Sequence, residues 1–327
     1  MGYSLTRLET EQPAYIYEYP AAAEFARQQR EIFWLPDEIK VEKDVHDILT
    51  NFTPAEKHGV VTVLKLFTLY ELFAGGEYWG TRVLQSFPRP DIQMMANCFS
   101  FFELNIHAPF YNRLNEALHL NNEQFYLSWQ DNEFLKERMG EIDKILAHED
   151  LALSLAAFSM VEGVVLYSSF AFLKHFQSQG KNKLLNVVRG INFSVRDENI
   201  HHLAGTWLFR QLCTERNLEP EDYREQILEI AENLLSQEDR IIDMIFSEGR
   251  IPGITANQLK SFARSRVDVC LENLSLKRHY KPTYNPIKSW FYQGINSFQL
   301  HDFFVGLGSE YNRAWDEASF VWSKESA

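Results

Sequence analysis

Carboxylates and imidazoles lie within the most apolar helical stretches of this chain, and they constrain its fold more than any other feature. Charged side chains are rarely found in a protein interior unless they are paired or bind a metal. A fold that buries these stretches must therefore bring their acidic and histidine side chains together. The residues are Glu71 in LFTLYELF, Glu103 and His107 in FFELNIHAPFY, Glu162 in SMVEGVVLY, and Glu198 and His201 in RDENIH.

Helical periodicity runs through the chain from residue 53 onward. The sequence TPAE at 53–56 is typical of a helix start, because it combines a capping box with proline at the first helical position. There is no alternating strand pattern of useful length and no internal repeat. We predict an all-α fold, a bundle of long helices with additional flanking helices. The predicted helices cover residues 53–86, 91–119, 132–147, 149–177, 182–214, 219–247, 255–274 and 287–298.

The helical region divides the chain into three parts. Residues 1–50 are predicted to form an N-terminal arm, in which Pro13, Pro20 and Pro36 interrupt any long helix. Residues 51–300 are predicted to form the helical bundle domain. Residues 301–327 lack periodicity, and we predict a flexible C-terminal tail.

Charge and cysteine usage limit the classes of partner. The net charge of -13 argues against a basic face that binds nucleic acid or an anionic membrane. The longest apolar run, from Leu151 to Val165, carries Glu162, so we expect no transmembrane helix. Cys98, Cys213 and Cys270 lie far apart, which is typical of free thiols in a reducing compartment. We therefore expect a soluble cytoplasmic protein with no nucleic-acid or membrane partner.

The acidic and histidine side chains form a recognisable ligand set. Residues three or four positions apart share one helix face, so Glu103 with His107, and Glu198 with His201, can each point at one spot. Single glutamates on two further helices complete four carboxylates and two imidazoles. This is the ligand set of a di-iron or di-manganese carboxylate bundle. Carboxylate oxygens combined with imidazole suit iron and manganese.

Two details of this set leave alternatives open. Glu77 lies near Glu71, but six residues of α-helix leave the two about 120° apart, so both cannot face the core. We favour Glu71, because the apolar pattern weakens around Glu77 in GGEYWG. The spacing from Glu103 to His107 is one residue longer than Glu-x-x-His, and a π-bulge can absorb the extra residue. Any single buried glutamate could instead be salt-bridged, and Arg196 is such a partner.

Several motifs resemble those of the small, radical-generating subunit of class I ribonucleotide reductase, a ferritin-like dimetal-carboxylate family. The resemblance extends from about residue 30 to about residue 311. It is carried by EIFWLP at 31–36, IHAPFY at 106–111, VEGVVLYSSF at 161–170, RDENIH at 196–201 and FFVGLGSEY at 303–311. It implies a ferritin-like bundle around two metal ions.

The resemblance also implies roles for individual residues. Glu71, Glu103 and His107 would hold one metal, and Glu162, Glu198 and His201 the other. Tyr111, four residues after His107, would carry a stable radical. Trp34, Asp197 and His107 would begin an electron-transfer path, which Tyr311 would relay to a separate large subunit.

The same resemblance sets expectations for the cofactor and partners. Many family members carry aspartate where this chain has Glu71, and the Glu-x-x-x-His spacing marks a divergent branch. We expect two iron ions, with manganese or a mixed manganese–iron pair left open. The expected partners are the large subunit, to which the tail docks, a second copy of the chain, and O2 or an oxidant from a flavoprotein. The expected reaction is reduction of ribonucleotides to deoxyribonucleotides.

Three other functions compete with this interpretation. A dimetal oxidase or N-oxygenase on the same bundle would act directly on a small substrate and would need neither Trp34 nor Tyr311. A ferritin-like iron store would tolerate loss of the tail. A helical scaffold without metal is disfavoured, because unpaired buried carboxylates cost several kcal/mol each.

Overall fold

The computed structural model describes residues 4–283 and 285–292, and every regular element within them is a helix. The element order begins with α1 (Pro20–Glu31) and α2 (Pro54–Ser86). Helix α3 starts as Pro90–Phe102 and continues through Glu103–His107 and Ala108–Ala117. The remaining long helices are α4 (Glu133–Leu146), α5 (Leu151–Gln177), α6 (Leu185–Glu215), α7 (Arg224–Ile245) and α8 (Ala256–Asn273).

Four of these helices form the central bundle. Helix α2 packs along α3, and α5 packs along α6. Helix α1 covers α3 and α6 on one side, whereas α4, α7 and α8 cover α5 on the other. Every residue from 151 to 176 is buried, which is why α5 is apolar around its whole circumference. The structure is thus the predicted all-α bundle with flanking helices.

Local sequence explains where two of the bundle helices begin. At the start of α2, the Thr53 side chain accepts a hydrogen bond from the Glu56 N–H, and the Glu56 carboxylate accepts one from the Thr53 N–H at 2.8 Å. Helix α6 has no capping side chain of its own. Instead, Asp47 accepts a hydrogen bond from the Leu184 N–H (3.0 Å) and Asp44 one from the Val187 N–H (2.6 Å). The N-terminal segment therefore caps a central helix, and its acidic groups face the positive end of that helix.

Three of the central helices contain π-helical segments. They are Phe73–Val83 in α2, Glu103–His107 in α3 and Val161–Val165 in α5. Each segment contains or closely follows one of the glutamates singled out in the sequence. A π segment widens the helix by i→i+5 pairing and shifts the face on which the following side chains lie. The extra residue between Glu103 and His107 is absorbed in this way.

The predicted helix boundaries agree with the structure within a few residues, but the N-terminal segment differs from expectation. Pro20 was expected to interrupt a helix there, yet it occupies the first turn of α1, where a missing N–H costs nothing. The C-terminal helix predicted at 287–298 is helical over residues 286–292, and its remainder lies outside the described residues. The predicted tail, 301–327, and Tyr311 also lie outside them.

Two helices, Pro54–Ser86 and Leu151–Gln177, are long and apolar enough to cross a membrane by length and composition. The sequence analysis ended the second apolar run at Val165, whereas the apolar helix continues to Gln177. The most apolar windows of the two helices are 61% and 100% buried within the fold. Such burial is what the core helices of a bundle require, and it makes the two helices weak support for a membrane location.

Candidate metal centre

The structure brings the six predicted ligands into one buried cluster between α2, α3, α5 and α6. Their exposed fractions do not exceed 1%. The cluster contains two groups of four side chains, and within each group the ligand atoms lie within 4.8 Å of one another. One group is Glu71, Glu103, His107 and Glu198, and the other is Glu103, Glu162, Glu198 and His201.

Glu103 and Glu198 belong to both groups. Glu103 places Oε2 at 2.8 Å from His107 Nδ1 and Oε1 at 2.5 Å from His201 Nδ1. Glu198 places Oε1 at 3.4 Å from His107 Nδ1 and Oε2 at 3.9 Å from His201 Nδ1. Each of these carboxylates therefore directs one oxygen to each half of the cluster, which is the arrangement that a pair of bridged metal ions requires.

Many polar atoms of the cluster make no hydrogen bond among the described residues. Both oxygens of Glu71 and of Glu198, Oε2 of Glu162 and Nε2 of His201 are buried without a hydrogen-bond partner. Leaving that many carboxylate and imidazole atoms unsatisfied would cost several kcal/mol per group. Two divalent cations would bind these atoms and neutralise the four carboxylates, so the donor set fits a dimetal centre.

Without bound metal, the carboxylates of the cluster compete for protons. Burial, and then the charge of Glu103, raise the pKa of Glu71 well above its usual value. Burial and the charge of Glu198 do the same for Glu162, and burial raises the pKa of Glu198 to about 7. Burial alone would raise the pKa of Glu103, but the charges of His107 and His201 outweigh it and hold the pKa well below its usual value. Metal binding must therefore displace protons from this cluster.

A hydrogen-bonded chain leads from the cluster towards α1. Asp197 Oδ2 accepts hydrogen bonds from His107 Nε2 (2.9 Å) and from Trp34 Nε1 (2.8 Å), while its Oδ1 accepts one from Gln29 Nε2 (2.8 Å). Because Nε2 of His107 carries the donated proton, Nδ1 is the nitrogen that faces the carboxylates and a metal. Asp197 thus fixes the orientation of that imidazole.

Tyr111 lies one helical turn after His107 and is 1% exposed. Its ring centroid is 4.5 Å from that of Phe67 and 5.0 Å from that of Phe110. Burial, and then the charge of Glu71, raise the pKa of the phenol well above its usual value. The phenol is therefore neutral, enclosed by aromatic rings and close to the carboxylate cluster.

The structure shows where the residues of these alternatives lie. Glu77 is exposed on the outer side of α2, whereas Glu71 points into the cluster. Arg196 lies over the ring of Phe193, with its guanidinium carbon 4.7 Å from the ring centroid. Asp197 accepts its hydrogen bonds from Gln29, Trp34 and His107.

Two polar contacts of the cluster were missed by the sequence analysis. Gln29 lies on the buried face of α1 together with Ala22, Phe25 and Ala26. An amide among apolar residues at this helical spacing was the feature of the sequence that could have identified it. Trp79 donates a hydrogen bond from Nε1 to Glu162 Oε1 at 2.6 Å. Nothing in the sequence indicated that contact, because it depends on the π-helical register of α2.

Comparison with known proteins identifies the family. The sequence model described as "Ribonucleotide reductase, small chain" matches residues 14–286. The chain belongs to the ribonucleotide reductase small-chain family. Members of this family are oxidoreductase subunits that use a dimetal centre of iron or manganese, and the buried carboxylate and histidine cluster fits that role.

Individual relatives agree with this assignment. The chain is 26% identical over 327 residues to the probable ribonucleoside-diphosphate reductase small subunit of Invertebrate iridescent virus 3, covering 94% of this chain and 85% of the relative. It is 24% identical over 319 residues to the ribonucleoside-diphosphate reductase subunit beta of Treponema pallidum, covering 91% and 86%. The dimanganese(II)-NrdF crystal structure from Streptococcus sanguinis has the same fold, with a TM-score of 0.73 at 20% identity, covering 85% of this chain and 97% of that one. The comparisons thus indicate that the chain functions as a ribonucleotide reductase small subunit. None of them favours a substrate oxidase.

Proposed function

We propose that the buried cluster holds the two metal ions and that Tyr111 carries the radical that starts ribonucleotide reduction. The observation that carries this proposal is that two ligand groups share Glu103 and Glu198 close to a fully buried tyrosine. When bound and oxidised by O2, or by an oxidant that a flavoprotein delivers, the two metal ions would supply the one-electron oxidant for the phenol. Iron is the expected metal, and manganese is the second choice, since the Streptococcus sanguinis relative holds two Mn(II) ions. The proposed ligands are Glu71, Glu103, His107, Glu162, Glu198 and His201.

The surroundings of Tyr111 suit a long-lived radical. A tyrosyl radical persists only where water and reductants are excluded, and the phenol is enclosed by Phe67 and Phe110. Because the phenol pKa is raised, Tyr111 keeps its proton until oxidation removes an electron. The proton must then move to a neighbouring base. Glu71 is the proposed acceptor, since it is near enough for its charge to raise the phenol pKa.

The chain His107–Asp197–Trp34 is the proposed route of the oxidising equivalent out of the cluster. Its two hydrogen bonds share Asp197 Oδ2, and the rings of Trp34 and His107 lie 27° from parallel with centroids 6.1 Å apart. The indole is 2% exposed, so the route starts inside the protein. We place Tyr311 at its far end, in the tail that docks on the large subunit.

Ribonucleotide reductase small subunits are soluble and dimeric and work with a large subunit. The present chain has no glycine-rich phosphate loop, so the proposal assigns nucleotide binding to the large subunit. The proposed co-reactant is O2 or an oxidant delivered by a flavoprotein. The proposed location is the cytoplasm. Free thiols at Cys98, Cys213 and Cys270 suit a reducing compartment.

An apolar groove supports the proposed homodimer. It has a volume of about 540 Å³ and lies on the outer face of α2 and α3. Leu72, Leu104 and Pro109 line one side, and Tyr126, Leu127 and Trp129 line the other. Leu72 is 54% exposed there, although it directly follows the buried Glu71. Apolar surface of this kind is typical of a protein–protein contact. The proposed occupant is the same face of a second copy, as a two-fold axis requires.

Electron paramagnetic resonance tests the proposed function. The protein is loaded anaerobically with Fe(II), exposed to O2 and compared with the Tyr111→Phe variant. We expect a tyrosyl signal in the wild type and none in the variant, with iron uptake equal in both. If iron binds and consumes O2 without a tyrosyl signal, the experiment is repeated with Mn(II) and with both metals. A silent spectrum in every case would contradict the radical role of Tyr111 and favour the substrate oxidase.

A further inference from the structure

The indole of Trp79 contacts the cluster directly. Its Nε1–H donates to Glu162 Oε1 at 2.6 Å, and both side chains are 0% exposed. An indole N–H is a donor only, so this contact has a fixed direction. Because it is charge-assisted when Glu162 is ionised, it is stronger than a hydrogen bond between neutral groups.

The π-helical segment of α2 brings Trp79 to this position. In a regular α-helix, eight residues rotate the chain by about 800°, which would turn Trp79 about 80° away from the direction of Glu71. The π segment Phe73–Val83 rotates the chain less per residue, so Trp79 returns towards the face that carries Glu71. One helix thereby supplies a proposed ligand and a hydrogen-bond donor to a carboxylate on another helix, α5.

Packing holds the indole in place. The ring of Trp79 makes edge contacts with Tyr78 and Phe99, each at a centroid distance of 4.8 Å. Tyr78 is in turn stacked on Phe158 of α5 at 3.7 Å. Trp79 also lies edge-on to His201 at 6.2 Å. The donor therefore cannot move away from Glu162 without repacking several aromatic rings.

The two oxygens of Glu162 are thus unequal. Oε1 accepts the indole hydrogen bond, whereas Oε2 is buried without a hydrogen-bond partner among the described residues. In the other half of the cluster, both oxygens of Glu71 lack such a partner. Glu162, the unshared carboxylate of the half that contains His201, is therefore held by a fixed donor. Glu71, the unshared carboxylate of the other half, is not, and there Asp197 holds the imidazole of His107 instead.

We propose that Trp79 is a positioning residue of the metal site on the His201 side, and that it holds Glu162 so that Oε2 is the oxygen that binds metal. The inference rests on the proposed dimetal function and adds to it an asymmetry between the two sites. Loss of the indole N–H should weaken the His201-side site and leave the His107-side site nearly unchanged. Loss of such a partner typically lowers metal affinity by about 10–100-fold.

Anaerobic Mn(II) titration followed by electron paramagnetic resonance tests this inference without oxygen, large subunit or nucleotide. Two changes remove the donor: Trp79→Phe, and replacement of Trp79 by benzothienylalanine, which keeps the bicyclic shape but has no N–H. Trp207→Phe is the matched control, because Trp207 is a buried indole that packs against Tyr19 and Phe25. His201→Ala and His107→Ala provide reference titrations for loss of either site.

We expect wild type and Trp207→Phe to take up two Mn(II) ions per chain and to give the spectrum of a coupled pair. Both Trp79 replacements should bind the second ion about 10–100-fold more weakly, with the spectrum of isolated Mn(II) at intermediate loading, as in His201→Ala. Wild-type affinity with benzothienylalanine would overturn the inference, because shape alone would then suffice. An equal loss in Trp207→Phe would overturn it as well, because the effect would then be general destabilisation.

The outcomes separate this inference from the proposed function. If Trp79→Phe does not fold, the benzothienylalanine protein still decides the role of the N–H. If wild type binds two ions but never forms a tyrosyl radical, the proposed function fails and the positioning role of Trp79 is judged from the titrations alone. A wild-type chain that binds neither Mn(II) nor Fe(II) would overturn both.

Discussion

Asp197 links the proposed metal site to the N-terminal part of the chain. It accepts hydrogen bonds from Gln29 and Trp34, which lie in and just after α1, and from His107 on α3. In Asp197→Asn one oxygen becomes an NH2 group, so the three donors compete for one acceptor. We expect the tyrosyl radical still to form, whereas reductase activity with the large subunit should fall by about 10–100-fold.

Steady-state turnover measured beside the radical yield checks this expectation for Asp197. The conservative Trp34→Phe variant should likewise keep the tyrosyl radical and lose turnover. Unchanged turnover in Asp197→Asn would mean that the oxidising equivalent leaves the cluster by another route.

His175 makes stability depend on pH. It is fully buried, its Nδ1 is hydrogen-bonded to the Phe172 carbonyl, and burial followed by the charge of Lys181 lowers its pKa to about 3. The folded protein therefore keeps His175 neutral, whereas the unfolded chain binds a proton below a pH of about 6.5. The contribution of His175 to the free energy of unfolding is therefore complete above that pH, and it is lost as the pH falls towards 3. Between pH 7 and about pH 5 the loss should be about 2 kcal/mol.

Urea unfolding of the chelator-treated protein at the two pH values measures this loss. The His175→Asn variant, which has no titrating ring, should lose about 2 kcal/mol less than wild type on acidification. His46→Asn, at an exposed histidine, should behave as wild type. An identical pH dependence in wild type and His175→Asn would show that His175 does not stay neutral in the fold.

At the scale of elements, the π segment of α2 depends on close helix approach. A Cβ atom at Gly75 would lie 2.8 Å from Glu103 Cβ and 2.7 Å from Leu104 Cγ, both on α3. Gly75→Ala should therefore push α2 away from α3 and lower the free energy of unfolding by about 1–3 kcal/mol. It should also weaken Mn(II) binding, because the shift separates Glu71 from Glu103.

The neighbouring glycine is a matched control for that substitution. A Cβ at Gly76 would meet no atom within 4 Å. Gly76→Ala should be neutral or stabilise the protein by up to about 1 kcal/mol, because alanine costs less backbone entropy in a helix. Thermal unfolding and Mn(II) titration of both variants provide the test. Equal effects of the two substitutions would contradict the close-approach argument.

The elements also show which parts of the structure were predictable. The start of α2 is encoded locally by Thr53, Pro54 and Glu56, and the long helices follow from their apolar periodicity. The ligand candidates were recognisable because charged groups on apolar helix faces are costly. Trp79 was not recognisable, because its direction depends on the number of π turns between it and Glu71. Helix α1 was not predicted, because Pro20 was taken to interrupt a helix, whereas it occupies the first turn of one.

At the scale of the whole molecule, the groove beside Leu72 provides a test of dimerisation. Leu72 and Leu185 are each 54% exposed, but only Leu72 lines the apolar groove on α2 and α3. A lysine at Leu72 would bury a charge in the proposed two-fold contact. A disruptive substitution at a central contact typically costs about 2 kcal/mol or more of binding free energy, which is roughly 30-fold in affinity. Leu72→Lys should therefore weaken the dimer by at least that factor.

Sedimentation velocity across a range of protein concentrations measures this change in the dimer. Wild type and Leu185→Lys, which introduces the same charge at the same exposure on α6, should sediment as dimers at concentrations where Leu72→Lys is a monomer. The Leu72→Lys monomer should still bind two Mn(II) ions, because each proposed ligand comes from a single chain. If Leu185→Lys dissociates and Leu72→Lys does not, the dimer contact lies near the start of α6 instead of in the groove. Retained metal binding in a separated monomer would show that the four central helices assemble the metal centre without help from a second copy.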